Sequence, residues 1–215
     1  LDSTTAGISR LQFAIVTLKA EAGILIDDHL SHGTHTGQDL HINSDSDGGG
    51  SGTFTMATTK TLTTNDGVPY ITAADIQVQG TITSGTAATY IHTTNQRTIG
   101  LGVAKDMTID ATELQRMTAT GLTIGASTSN KDITVVGISA ANSNTITAEL
   151  TLLAQVDDSK VTFETTASTF NALSAQADDG VILKVDVSTD TGALYFNGDI
   201  ENGVDTNNRI GFTDG

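Results

Sequence analysis

Short runs in which apolar and polar residues alternate follow one another along almost the whole chain, and corners rich in Gly, Ser, Asn and Ala separate them. From Tyr70 the runs read YIT, DIQVQ, TIT, TYIHT, RTIGLG and DMTID, then GLTIG, KDITVVGI, TITAELTLLAQV and KVTFE. A period of two marks a half-buried strand, and most of these runs are too short to form the apolar face of a helix. The first part of the chain obeys the same grammar. ISRLQFAIVTLK at 8–19 predicts one strand, ILIDD after Gly23 a second and Asp39-Leu-His-Ile-Asn a third, with a polar loop over 29–37. SDSDGGGSG at 44–52 predicts a flexible, protruding loop. Strands are expected at 53–57 and 59–64, a turn at Asn65-Asp-Gly, and a strand start at Pro69, where a missing N–H does least harm. Two stretches break the pattern. ATELQRM at 111–117 spaces Leu114 and Met117 for one helical turn, and 166–179 fits either a short helix or a bent strand.

Strand plus corner recurs about every 7 to 12 residues, so three strands use about 20 to 25, the length of one coil of a parallel β-helix. In such a fold equivalent residues of successive coils stack about 4.8 Å apart and build apolar columns. Ile99, Ile109, Ile124, Ile133 and Ile146 are candidates for those columns. The alternative all-β arrangement is a Greek-key β-sandwich, which calls for longer strands, more large aromatics and hairpin turns.

The chain also resembles itself. With Gly180 set on Gly23, Val181, Ile182 and Leu183 fall on Ile24, Leu25 and Ile26, and Phe170 falls on Phe13. After a short slip Thr191-Gly192 falls on Thr36-Gly37, and Asn197 and Asp199 fall on Asn43 and Asp45. Residues 1–215 therefore read as one elongated unit in which about 9–56 and 166–212 weakly repeat each other, as segments of a stacked array do.

Composition narrows the classes of function. Thr is the commonest residue, aromatics are 4%, Trp and Cys are absent, and 22 Gly accompany a single Pro. That suits a narrow all-β interior of Ile, Val, Leu, Ala and Thr with Gly at the corners. No run approaches the 18 apolar residues of a membrane span, and no disulfide scaffold is available. A net charge of −15 argues against nucleic acid and anionic membranes and leaves divalent cations or cationic surfaces as counter-charges. Leu1 stands where an initiator Met would, so the start is expected to be a processed or excerpted end.

The segments TIGLG…MTIDATELQRMTATGLTIG and STFNALSAQADDG resemble the repeats of giant bacterial and marine extracellular surface proteins with filamentous-haemagglutinin-like β-helical shafts. The resemblance implies a right-handed β-helix within a long extracellular protein and brings no catalytic residues with it.

Three groups of side chains carry candidate chemistry. His29, His32, His35 and His41 lie within thirteen positions, beside Asp27, Asp28 and Asp39, a set able to hold a transition metal if the chain folds them together and otherwise a solvated corner. Asp45 and Asp47 in their Ser/Gly tract offer oxygens to calcium, although the EF-hand spacing is not met. The pairs Asp27/Asp28, Asp157/Asp158 and Asp178/Asp179 invite comparison with the carboxylates of β-helical polysaccharide-degrading enzymes. Each pair abuts a corner where solvated charge is routine, and no nucleophile elbow or phosphate loop is present.

The expectation is a non-enzymatic structural subunit or repeat of an extracellular or cell-surface filament. No resident cofactor is expected beyond calcium. It would join itself head to tail, as a homopolymer or a tandem covalent array, through Leu11, Phe13, Ile15, Ile24 and Ile26 at one end and Val181, Leu183, Leu194, Phe196, Ile210 and Phe212 at the other. An adhesin segment that binds glycans or a host surface and a polysaccharide-degrading enzyme are the alternatives.

Overall fold

The computed structural model describes residues 8–10, 15–201 and 203–213. The chain is all-β, and it visits its sheets in a repeating order. Circuit one passes through β1 (Ile8–Arg10), β2 (Val16–Lys19) and β3 (Ile24–Ile26). Circuit two uses β4 (His29–Ser31), β5 (Leu40–Asn43) and β6 (Thr53–Met56), and circuit three β7 (Thr61–Thr63), β8 (Pro69–Thr72) and β9 (Asp75–Val78). Circuit four contains β10 (Thr81–Thr83), β11 (Thr89–His92), β12 (Arg97–Leu101) and β13 (Met107–Ile109). Helix α1 (Ala111–Gln115) leads into circuit five, β14 (Met117–Thr118), β15 (Leu122–Ala126) and β16 (Asn130–Val135). Helix α2 (Ala140–Ser143) opens circuit six, with β17 (Leu150–Ala154) and β18 (Val161–Phe163). Circuit seven is β19 (Ser168–Phe170), β20 (Leu173–Ala177) and β21 (Val181–Leu183), and circuit eight β22 (Val187–Thr189), β23 (Leu194–Asn197) and β24 (Ile210–Phe212).

One strand of each circuit enters an eight-stranded sheet of order β2-β5-β8-β11-β15-β17-β20-β23. Every strand pairing among the described residues is parallel, which removes the antiparallel sandwich. In-register pairing turns the period of two into columns. Leu18, Ile42, Ile71, Ile91, Ile124, Leu152, Ala175 and Phe196 succeed one another across that sheet. Ile109, Leu101, Val135, Phe163, Leu183 and Phe212 do the same across the six-stranded sheet β13-β12-β16-β18-β21-β24. Apart from the exposed Phe212, both columns belong to or pack against one contiguous hydrophobic cluster. Ile99, Ile109, Ile124, Ile133 and Ile146 are all buried, but on three different faces: Ile99 and Ile133 pair directly, and Ile146 bridges to Ala119. Outside the core, His41, Tyr70 and Tyr90 stack as a ladder, with ring centroids 4.7 and 5.0 Å apart.

Several local expectations change. The run at 8–19 is two strands rather than one, and Ile15 between them is exposed. His29–Ser31 is a strand within the expected polar loop, because Leu30 alone points inward and pairs with Leu62. The stretch 166–179 is strand throughout its ordered elements, so the helical option fails. Circuits are also less uniform than 20 to 25 residues: Tyr70 meets Tyr90 twenty positions on, whereas Thr89 meets Leu122 thirty-three on. The extra length is β13 and α1. After Gly102 (φ +77°) the chain doubles back and lays β13 between β12 and β9, where Thr108 N–H donates to Asp75 Oδ1 at 2.8 Å. The helix then closes the end of β9. Glu113 accepts from Val78 N–H and from Asp110 N–H, both at 2.9 Å, while Asp110 caps the helix, a capping box shared with a neighbouring strand.

Candidate functional site: an acidic corner and two open sheet ends

The four histidines are not brought together. His29 Nδ1 pairs with Thr61 Oγ1 at 2.8 Å, His35 is exposed, and His41 is committed to its stack on Tyr70. His32 is buried with neither ring nitrogen partnered, and burial pushes its pKa below the usual value. Among the described residues one group of three metal-ligating side chains converges, and no histidine belongs to it.

Ser46, Asp47, Gly49 and Ser51 of the 44–52 tract are exposed, but its Asp45 is drawn inward. Asp45 is fully buried, and its carboxylate accepts from the N–H groups of Gly50 (3.0 Å), Ser51 (3.3 Å) and Gly52 (3.3 Å) and from the Thr94 hydroxyl two circuits away. Gly48 and Gly50 take positive φ to make this wrap. Burial pushes the Asp45 carboxyl up, but the Thr94 hydroxyl and the backbone donors outweigh it and hold it below the usual carboxylate range. Asp45 is thus occupied by the protein's own donors. Asp47 is exposed and accepts from Gly49 N–H at 3.0 Å.

The converging group is Asp157, Asp178 and Asp205, whose oxygens all lie within 4.8 Å of one another. Asp157 follows β17, Asp178 follows β20, and Asp205 lies between β23 and β24, so parallel stacking places the same corner of three successive circuits in register. Asp178 is 1% exposed; its Oδ2 accepts from Asp158 N–H at 2.7 Å. The nearby cation is engaged elsewhere: Lys160 Nζ sits 2.5 Å from Asp179 Oδ2. Burial pushes the Asp179 carboxyl up, yet Lys160 and two hydrogen bonds from Asn207 overcome it and hold the group at about 2. Two acids outside that ion pair behave oppositely. Burial, then the charges of Asp178 and Asp157, raise the Asp205 carboxyl, and Asp178 foremost raises Glu201. Taken one pair at a time, Asp157/Asp158 and Asp178/Asp179 are corners where solvated charge is routine. Their twenty-one-residue separation, one circuit, was the signal that they stack.

The assembly residues fall into four classes. Leu11 and Phe13 lie outside the described residues. Val181 and Leu183 are buried one rung inside, beneath Ile210 and Phe212. Ile24, Ile26, Phe196 and Ile210 are half-buried against the core, whereas Ile15, Leu194 and Phe212 are 63%, 40% and 77% exposed. Leu194 and Phe212 continue columns that are buried on every preceding circuit nearby, since Leu173 and Leu183 beneath them are covered. With Leu183, Val185, Val187 and Phe196 they line a groove of about 480 Å³ at the open end of the core. The strands β2 and β23 are the outermost of the eight-stranded sheet, each with one edge unpaired among the described residues.

The ends share local geometry. Gly23 before β3 and Gly180 before β21 have φ of +116° and +115°. Asn43 Oδ1 accepts from Asp45 N–H, and Asn197 Oδ1 from Asp199 N–H, both at 3.2 Å. No helix among the described residues is long and apolar enough to cross a membrane. No protein family, no curated protein and no solved structure matches the chain.

Proposed function

We propose that the chain is a structural unit of an extracellular filament or giant surface fibre, folded as a right-handed parallel β-helix and continued head to tail through its sheet ends. The observation that carries this reading is the open groove on circuit eight, where column residues stand exposed beside strand edges that are unpaired among the described residues. An uncovered parallel edge accepts another strand, and soluble proteins blunt such edges. The strand order supports a solenoid because every circuit returns to the eight-stranded sheet, and right-handed crossovers are the overwhelming rule for parallel strands. The shared geometry of Gly23 with Gly180 and of Asn43 with Asn197 supports similar cross-sections near the two ends. Contacts between unlike ends are heterologous, and stacking along the solenoid axis leaves no rotation that closes a ring, so the contact propagates. Export to the cell surface belongs to the same reading, and so does the likeness to haemagglutinin-like shafts.

The test is electron microscopy of the purified chain in enough salt to screen its charge of −15. The parent is expected to form unbranched fibres, and Phe212→Lys with Leu194→Lys to give short or discrete particles. Fibres of undiminished length from that double variant, or discrete particles from the parent, would overturn the reading.

A further inference from the structure

We infer that the groove on circuit eight is the seat of a circuit built like residues 57–80, namely the third circuit of a following repeat, an assignment that rests on the fibre reading. Circuits seven and eight reproduce circuits one and two in backbone detail. In the eight-stranded sheet Leu173 pairs with Leu194 and Ala175 with Phe196, as Val16 pairs with Leu40 and Leu18 with Ile42. Beyond the glycine corner Val181 pairs with Ile210 and Leu183 with Phe212, as Ile24 pairs with Phe54 and Ile26 with Met56. The bonds between circuits recur too. Ser46 N–H donates to Ala20 O at 2.9 Å and Ile200 N–H to Ala177 O at 3.1 Å; Ala57 N–H donates to Ile26 O at 3.0 Å and Thr213 N–H to Leu183 O at 2.9 Å. At Gly23 a Cβ would lie 2.8 Å from Thr53 O, and at Gly180 3.1 Å from Arg209 O, so the same carbonyl closes over each corner. Circuit eight therefore stands where circuit two stands.

Circuit two shows what such a surface receives. Leu40, Ile42, Phe54 and Met56 are fully buried because Pro69, Ile71, Ile76 and Val78 of circuit three pair with them in register. Their counterparts Leu194 and Phe212 are exposed, and Phe196 and Ile210 half-buried. The backbone makes the same demand. Leu40 N–H donates to Val68 O at 3.0 Å and Ser44 N–H to Thr72 O at 2.8 Å, and Leu194 and Gly198 hold the matching positions on circuit eight. On the outer face Tyr70 stacks on His41, and the exposed Tyr195 stands in the place of His41.

A circuit of the third type brings Ile and Val to the open columns, carbonyls to Leu194 and Gly198, and a tyrosine ring to Tyr195. Circuit one of a separate copy offers Val16 and Leu18 to the same columns but the outward Thr17 to Tyr195, which makes it the poorer fit.

Extending the full chain tests the assignment. Residues 60–80 are appended directly after Gly215, which keeps the 156-residue spacing of Met56 and Phe212. Exchange is followed in dilute protein at low salt, where the charge of −15 holds chains apart. Amide exchange at Leu194 and Gly198 should slow by about tenfold or more in the extended chain, the appended residues should resist protease, and the melting temperature should rise. The same extension carrying Ile71→Asp and Ile76→Asp in the appended copy should leave exchange at the parental rate. Parental exchange beneath the unaltered extension, or equal protection by the Asp-bearing one, would overturn the assignment. An appended segment that stays protease-sensitive while Leu194 and Gly198 become protected only as concentration is raised would give the groove to a second copy and overturn it likewise. The filament reading is judged apart: a seated circuit on a chain whose parent forms no fibres sinks that reading alone, and fibres from a parent whose extension stays unseated sink this one alone.

Discussion

Replacing Asp45 with Ala is expected to destabilise the protein by about 3 kcal/mol. The figure follows from the donors left behind. Gly52 is buried, so its N–H loses its partner with no water to replace it, at about 2 kcal/mol. Gly50 is half-buried and Ser51 exposed, so water compensates most of their loss and together they add about 1 kcal/mol. The Thr94 hydroxyl rotates toward other acceptors. Asp45→Asn keeps an acceptor in place but loses the charge and turns an amide N–H₂ toward donors, and should cost about 1 to 2 kcal/mol. Urea unfolding of the three proteins measures the difference, and hydrogen exchange at Gly50, Ser51 and Gly52 localises it. Because the folded Asp45 carboxyl is held below its ordinary value, its contribution is present above the unfolded pKa and is lost as pH falls through the folded one. The gap between parent and Asp45→Ala should therefore be full at pH 7 and close under strongly acidic conditions. A loss below about 0.5 kcal/mol, unchanged exchange in the loop, or a loss seen only with calcium present and erased by a chelator would refute this account of the wrap.

Ile124→Asp places a charge between Ile91 and Leu152 in a closed column and should cost about 5 kcal/mol; the outward neighbour change Thr123→Asp should cost under about 0.5 kcal/mol, and equal urea midpoints for the two would contradict the assigned faces. Lys160→Met should cost about 2 kcal/mol by stranding the carboxylate of Asp179, which is 1% exposed. With that carboxyl held at about 2, the parent should keep the contribution above about pH 4 and lose it as pH falls toward 2, and a carboxyl titration by NMR showing Asp179 at its ordinary value would contradict this.

The columns were legible because buried and outward positions alternate through TYIHT and GLTIG, with Ile91, Leu122 and Ile124 inward and Tyr90, His92 and Thr123 outward, and in-register parallel pairing needs nothing more than that alternation. Strand β4 was hidden because a three-residue strand has a single inward residue, Leu30, and two histidines nearby read as loop. The doubling back of β13 is set by a positive-φ Gly102 and a bond to Asp75, thirty-three residues earlier than Thr108, which no local pattern encodes. Polar sites were least legible. The Asp45 wrap and the acidic corner use residues ordinary in any loop, and what distinguishes them is which circuit lies above or below. The spacing from Asp157 to Asp178 carried that information only once the length of a circuit was known.

Fibre diffraction from oriented assemblies of the purified chain tests head-to-tail continuation most directly. Eight circuits stacked at a ladder spacing of about 4.8 Å give an axial repeat of about 38 Å per unit. The account predicts a strong meridional reflection near 4.8 Å, strands perpendicular to the fibre axis, and layer lines indexing on that repeat of about 38 Å. Strands running along the fibre axis, or a repeat unrelated to the stacked circuits, would contradict it.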